Sequence, residues 1–270
     1  MMEQDVLRRV QLVQLEIAKE IKRVCDENGI HYFLDAGTLI GAVRHQGFIP
    51  WDDDLDIGML REDYDKFVKI APTALKPEYI WQDWNNDEHY AVPFGKVRKK
   101  NTVYQEEKSS RLKNNGFYVD IFPFDYAPDS KEERDHLQKQ CVFEARCLLV
   151  KEDYKPWQEA GKINWKKRIG YLPYQVCSLF MTHQSIVQKY EKIVRSVPKA
   201  DWIYEHAGYY NDHYFRLEWM KELKKARFED DEFLIPAGTD ERLREEYGDY
   251  MTPPPEDQRE NRHGIVEIRF

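Results

Sequence analysis

Two hundred and seventy residues carry 41 Lys plus Arg against 49 Asp plus Glu, a net charge of −8, which argues against nucleic acid as a partner. That length suffices for one large domain, or a domain with an appendage, around a real core. The four cysteines (Cys25, Cys141, Cys147 and Cys177) show neither a CxxC pair nor metal-ligand spacing, so reduced thiols in a cytoplasmic protein are expected. The first residues lack the apolar centre of a secretion signal, and no apolar run reaches the length of a membrane span.

In chain order, residues 3–28 place Val6, Leu7, Val10, Leu15, Ile17, Ile21 and Val24 at helical spacing, stopped by Asn28-Gly29. This reads as a packing helix. Residues 30–34 are a short strand ending at Asp35. Gly37-Thr38 then opens a short helix through Arg44, with Thr38 as N-cap and the amides of Thr38, Leu39 and Ile40 turned toward a phosphate. Gly41 leaves room for another backbone or a ligand. After the loop HQGFIPW comes DDDLD. In an extended segment Asp52, Asp54 and Asp56 share one face, while Leu55 and Ile57 share the other and seek the core. Asp54 and Asp56, side by side, repel unless a cation lies between them. An oxygen-rich pocket of that kind suits Mg²⁺ or Mn²⁺. The plainer alternative is a solvated acidic turn; the neighbours Trp51 and Ile57, and the lack of any basic residue inside the run, weigh against it.

Beyond Gly58, residues 61–75 form an amphipathic helix ended near Pro72. Strands follow at 79–84, 91–98 and 102–106. Lys99 and Lys100 read as a solvated turn, whereas Lys96 and Arg98 share a strand face. In FYVDI (117–121), Asp120 sits on an apolar strand, which is costly unless it is paired or metal-bound; a structural salt bridge is the alternative. Asp125 reads as structural. Two long helices are expected at 130–153 and 163–197. Lys162, Lys166, Lys167 and Arg168, interleaved with Trp165, Ile169, Tyr171 and Leu172, suit either an anionic membrane surface or an ordinary bundle helix. Residues 201–219 are rich in Tyr and Trp and hold His206 and His213 without metal spacing. A hairpin at 225–234 and a helix at 239–247 lead through Gly248 into the proline run 253–255.

The stretch AGTLIGAVRHQGFIPWDDDLDIGM resembles the signature of the LicD family, which includes the fukutin-related transferases within the nucleotidyltransferase-fold superfamily. FGKVRKKNT, GFYVDIFPFD and YGDYMTPPPEDQR resemble further blocks of the family, in the same order. The resemblance implies an α+β fold: a nucleotidyltransferase-type mixed sheet flanked by helices, with an attached helical region. The corresponding division is a catalytic core at 1–128, a helical accessory region at 129–222, and a C-terminal segment at 223–270 that returns to the site. It implies transfer of phosphocholine from CDP-choline, or of another alcohol phosphate from a related CDP-alcohol, to a hydroxyl of a cell-surface glycan. The acceptor would be a teichoic acid or lipooligosaccharide precursor, free or lipid-linked, met in the cytoplasm or at the inner face of the membrane, and CMP would be released.

Asp54, Asp56 and Asp120 would then be the catalytic and Mg²⁺- or Mn²⁺-binding carboxylates, with Asp120 as general base or further metal ligand. Gly37, Thr38, Lys96 and Arg98 would meet phosphate oxygens. Trp51, Tyr118 and Trp81 are candidates to cradle a quaternary ammonium, and Tyr247, Asp249 and His263 would line the donor pocket. Three alternatives stand beside this reading: a CDP-ribitol- or CDP-glycerol-dependent polyol-phosphate transferase, a nucleotidyltransferase moving NMP, and a catalytically idle binding protein.

Overall fold

A computed structural model describes residues 2–107, 111–159, 162–206, 213–259 and 264–270. The chain opens with α1 (Gln4–Asn28), β1 (Phe33–Leu34), α2 (Ala36–Ile40) and one π-type turn (Gly41–His45). Next come β2 (Asp56–Leu60), α3 (Arg61–Ala74), β3 (Tyr79–Gln82), β4 (Gly95–Lys99), β5 (Val103–Glu106) and the long β6 (Tyr118–Ala127). The middle holds α4 (Lys131–Lys151), β7 (Gln158–Glu159), β8 (Lys162–Ile163), α5 (Trp165–Gly170), α6 (Leu172–Leu179) and α7 (His183–Val194). The chain ends with β9 (Trp202–Glu205), β10 (Phe215–Arg216), α8 (Leu217–Lys221), β11 (Leu223–Phe228), β12 (Asp231–Pro236), α9 (Thr239–Tyr247) and β13 (Ile265–Arg269).

The central sheet runs β1-β2-β6-β4-β3, with β9 also on β6 and β10 on β9. Only β2 and β6 in it are parallel, joined by a connection that includes α3; the other pairs are antiparallel. A mixed sheet with helices makes the fold α+β. β6 is the spine because it is long enough to hold β4 beside its first half and β9 beside its second. Side chains alternate along it, so Asp120, Phe122 and Phe124 face one way and Val119, Ile121 and Asp125 the other. The latter face joins the main core with Ile57, Met59 and the apolar stripe of α1, in which Val10, Ile17, Ile21 and Val24 are fully buried. The opposite face carries Phe33, Phe124, Ile203, Phe215 and Met220. The region expected to be helical packs α4, α6 and α7 around Leu137, Leu148, Ile186 and Tyr190, and shares that cluster with Trp84 and Tyr90. It also sends β9 into the central sheet. The C-terminal β13 runs back along β5.

Several elements depart from expectation for local reasons. α3 runs through Pro72 to Ala74; a proline in the last turn removes only one late hydrogen bond, so the helix survives it. The helix expected at 163–197 is three. Pro173 stands at the start of α6, where its missing N–H is harmless only if a new helix begins. Thr182 and Ser185 then form a reciprocal cap that starts α7, with Oγ of each accepting the other's backbone N–H at 3.1 and 3.0 Å. The 225–234 hairpin extends to 223–236 and pairs residue for residue.

Candidate active site

The turn between β1 and α2 is the hinge of the site. Asp35 is wholly buried, its N–H donating to the Asp56 carbonyl at 3.1 Å, and Ala36 takes a left-handed φ of +47°. Such a conformation is unfavourable for a residue with a Cβ and persists only where its surroundings hold it. The holder is Arg242 of α9, whose Nη2 donates to Asp35 Oδ1 at 2.6 Å while Nη1 binds Glu246. This pair spans most of the chain, and it bolts the C-terminal segment onto the acidic turn.

Thr38 is not the N-cap of α2; Asp35 occupies that position without a side-chain cap bond. The Thr38 Oγ1 instead accepts the Asp56 N–H at 2.9 Å, tying the helix to the first residue of β2. The Leu39 N–H is spent on the Asp35 carbonyl at 2.9 Å, so that amide does not face a phosphate. At Gly41 a Cβ would lie 2.5 Å from the Gly47 carbonyl, so glycine is what lets the following loop fold back on the helix.

Residues 52–55 are extended without being a paired strand, yet the alternation holds. Asp52, Asp54 and Asp56 line one cavity of about 510 Å³, while Leu55 and Ile57 are in the core and Asp53 is buried against the Tyr104 hydroxyl at 3.1 Å. α1 fixes this segment: Gln11 and Gln14 donate to the Asp52 and Asp53 carbonyls at 2.9 and 2.8 Å. A helix that reads as pure packing is therefore part of the site's scaffold.

The same cavity is walled by Ala36, Gly37, Ile40, Arg44, Trp51, Tyr247, Asp249 and Tyr250, within the size range of small-molecule sites. Gly37 faces Asp52 so closely that a Cβ would stand 2.9 Å from Oδ2. Burial, then the negative charges of Asp54, Asp120, Asp52 and Asp35, push the Asp56 carboxyl well above its ordinary range. An all-oxygen donor set in which like charges crowd a buried carboxyl fits a hard divalent cation held through two side chains, water and substrate oxygens. Among the described residues, however, no three His, Cys, Asp or Glu side chains are gathered at ligand distance around one point.

The reason lies one strand over. Asp56, Asp120 and Lys96 stand opposite one another on β2, β6 and β4. Lys96 Nζ donates to Asp120 Oδ1 at 2.5 Å and lies 3.6 Å from the centre of the Tyr118 ring. Asp120 is thus salt-bridged rather than placed on the cavity wall, and Lys96 is committed to it. Burial raises the Asp120 carboxyl, with Lys96 opposing.

Other expected ligands are structural. Arg98 is buried, bonded to Gln82 and to the Gly116 carbonyl. Tyr118 is buried, donates to Glu106 at 2.6 Å and already has an ammonium on its ring. Trp81 packs edge-on against Tyr64 and Phe67 in the core. Asp125 is held by Arg61 through two bonds of 2.6 Å, as its structural reading implies. His263 falls outside the described residues.

The sequence reading missed the cavity's cations. Arg44 lines it and donates to the Tyr250 carbonyl at 2.5 Å, and the Arg259 guanidinium lies 5.0 Å from the Trp51 ring centre. Burial and the nearby Arg259 both push the Arg44 guanidinium down. Arg44 was within reach of periodicity: Gly37, Ile40 and Arg44 fall at i, i+3 and i+7. Glu205 on β9 was not. Burial and the charge of Asp35 drive its carboxyl well up, Arg242 opposing.

A family model described as LicD/FKTN/FKRP, nucleotidyltransferase domain, matches residues 29–160, which hold every carboxylate of the cavity except Asp249. Residues 29–160 thus carry a LicD-type domain. The chain is 29% identical over 265 residues, 97% of each chain, to the lipopolysaccharide cholinephosphotransferase LicD of Haemophilus influenzae. It is also 25% identical over 114 residues to the mouse ribitol 5-phosphate transferase FKRP, covering 40% of this chain and 20% of that one. Over 57 residues it is 49% identical to an uncharacterized protein of Rickettsia typhi, 21% of this chain and 18% of its relative.

Proposed function

We propose that this protein moves phosphocholine from CDP-choline to a hydroxyl of a glycan such as a teichoic acid or lipooligosaccharide precursor. The observation that carries the proposal is one cavity in which Asp54 and Asp56 face Arg44 and the aromatic side chains Trp51, Tyr247 and Tyr250. The acceptor oxygen attacks the phosphorus that bears choline, the bond to the CMP oxygen breaks, and CMP leaves with the electron pair. Mg²⁺ or Mn²⁺ held by Asp54 and Asp56 would supply charge stabilisation for the departing phosphate. Arg44, with Arg259 near it, takes the donor's phosphate oxygens, a role for which planar guanidinium groups are suited. Lys96 does not, because Asp120 holds it. Asp120 stands beside Asp56 in the sheet but off the cavity wall, so the acceptor's proton reaches it by way of a water molecule, and burial raises its affinity for that proton. Tyr247 and Tyr250 are the faces offered to the quaternary ammonium, beside Trp51, whose ring already meets the Arg259 guanidinium.

The second reading, ribitol phosphate from CDP-ribitol, draws on the partial similarity to FKRP; the aromatic wall favours choline over a polyol. Purified protein with a glycan acceptor and Mg²⁺ tests both. CMP release from CDP-choline but not from CDP-ribitol, abolished by EDTA, is the expected result. Free phosphocholine with CMP retained on the acceptor would mean nucleotidyl transfer and overturn the assignment.

A further inference from the structure

We infer that α5 and α6 form a docking face for an anionic lipid bilayer. Ile163, Trp165, Ile169, Leu172, Val176, Leu179 and Phe180 are all exposed, more than half of the large apolar side chains left in solvent among the described residues. Trp165 and Ile169 are four residues apart on α5, and Leu172, Val176 and Leu179 recur at steps of 4 and 3 on α6, so each helix carries its exposed apolar residues along one side. α5 buries none of its residues. α6 is anchored by its other side: Arg146 donates to the Tyr174 hydroxyl at 3.0 Å and Lys151 to the Ser178 carbonyl at 3.2 Å. The stripe is thus left facing outward by the packing of the helices that carry it.

Charge selects the occupant. This chain has a net charge of −8, yet no Asp or Glu occurs between Glu159 and Glu191. Lys162, Lys166, Lys167 and Arg168 lie in that interval, and the Arg168 guanidinium rests 4.8 Å from the Trp165 ring centre. An apolar stripe led by tryptophan and flanked by cations is how a helix lies in the headgroup region of an anionic leaflet, its lysines reaching out to phosphates. A second copy is the poorer occupant, since joining two such stripes brings two like-charged basic rims together. Among the described residues no helix is long and apolar enough to cross the membrane, so contact would be peripheral. The inference rests on exposure and charge, independently of the reaction.

Co-sedimentation of the full chain with sucrose-loaded vesicles tests it, using phosphatidylcholine alone and with about one third phosphatidylglycerol. Binding is expected only to the anionic vesicles, weakening as salt rises. Replacing the cations (Lys166→Gln, Lys167→Gln, Arg168→Gln) should weaken it about 100-fold. A triple Ile169→Ser, Val176→Ser, Leu179→Ser variant, which leaves the charges in place, should weaken it at least about tenfold. All the substituted residues but Arg168 are exposed and Arg168 is half-buried, so the melting temperature should hold and certify the fold. Absence of binding by the unaltered chain, or equal binding by either variant, overturns the inference. So does a dimer in sedimentation velocity that the serine variant abolishes, which would assign the stripe to a second copy.

Discussion

Asp56 and Asp125 lie on the paired strands β2 and β6, facing opposite sides of the sheet, and they have been given opposite treatment. Asp125 receives both oxygens' worth of bonds from Arg61, a neutral pair sealed beneath the helical layer. Asp56 is as deeply set, but its neighbours are Asp54, Asp120, Asp52 and Asp35, and all push its proton affinity upward. A fold selected only for stability would treat both carboxylates alike, because crowding like charges in a buried place is unfavourable. The difference teaches that the charge of Asp125 is matched by folding itself, whereas that of Asp56 is not, which is why the proposed function places a cation there. A mutation on one face should therefore be read in stability and on the other in turnover.

The sharpest way to break that contrast is Asp56→Asn. Burial and the surrounding carboxylates already disfavour the charged form of this carboxyl, so the amide should leave the melting temperature unchanged or slightly higher. Transferase turnover should fall at least about a thousandfold, roughly 4 kcal/mol of transition-state stabilisation. A large loss of stability with turnover per folded molecule preserved would reverse the roles assigned to the two faces. Asp125→Ala is the mirror experiment. Stranding Arg61 in a buried place should cost about 3 kcal/mol in denaturant unfolding, while the folded fraction keeps its turnover.

How much of this contrast was visible in the sequence follows from the range of the interactions. The alternation of Asp52, Asp54 and Asp56 against Leu55 and Ile57 is local, and it survives even though residues 52–55 precede β2. The close approach at Gly41 and the hairpin of β11 and β12 are local as well. The bridge from Arg242 to Asp35 joins residues 207 positions apart, and nothing at either end announces the other. The pairing of Lys96 with Asp120 depends on β4 settling beside β6 rather than elsewhere, so a cation that suits a phosphate in the sequence becomes a partner for the carboxylate in the fold. The three helices in place of one at 163–197 were legible in principle, since Pro173 and the Thr182 cap are sequence signals.

Acid should sharpen the comparison further. His206, just after β9, is buried with neither ring nitrogen bonded to any of the described residues; burial and then the Arg61 charge depress it from 6.5 to about 3. The unfolded chain binds that proton below about 6.5 and the folded chain only near 3. Stability from this group is thus complete above 6.5 and lost as pH falls through the interval, by up to about 1.4 kcal/mol per pH unit. His206→Phe should flatten urea midpoints between pH 6 and 4 relative to the unaltered chain. Parallel pH profiles in the two proteins would show that the acid sensitivity originates elsewhere.

The smallest effect probes the site's geometry alone. Gly37 has backbone angles open to alanine, so Gly37→Ala adds one methyl and no backbone strain. Its Cβ would sit 2.9 Å from Asp52 Oδ2, the end of a side chain that can yield by a few tenths of an ångström. Stability should therefore change by less than about 1 kcal/mol. The carboxylate that yields shares the cavity wall with Asp54 and Asp56, and misplacement of positioning groups by an ångström costs about a hundredfold in rate. A displacement several times smaller should lower kcat/KM about threefold to tenfold, with the melting temperature held. If kcat/KM were unaffected, Asp52 would be a bystander on the wall and the acidic set that matters would reduce to Asp54 and Asp56.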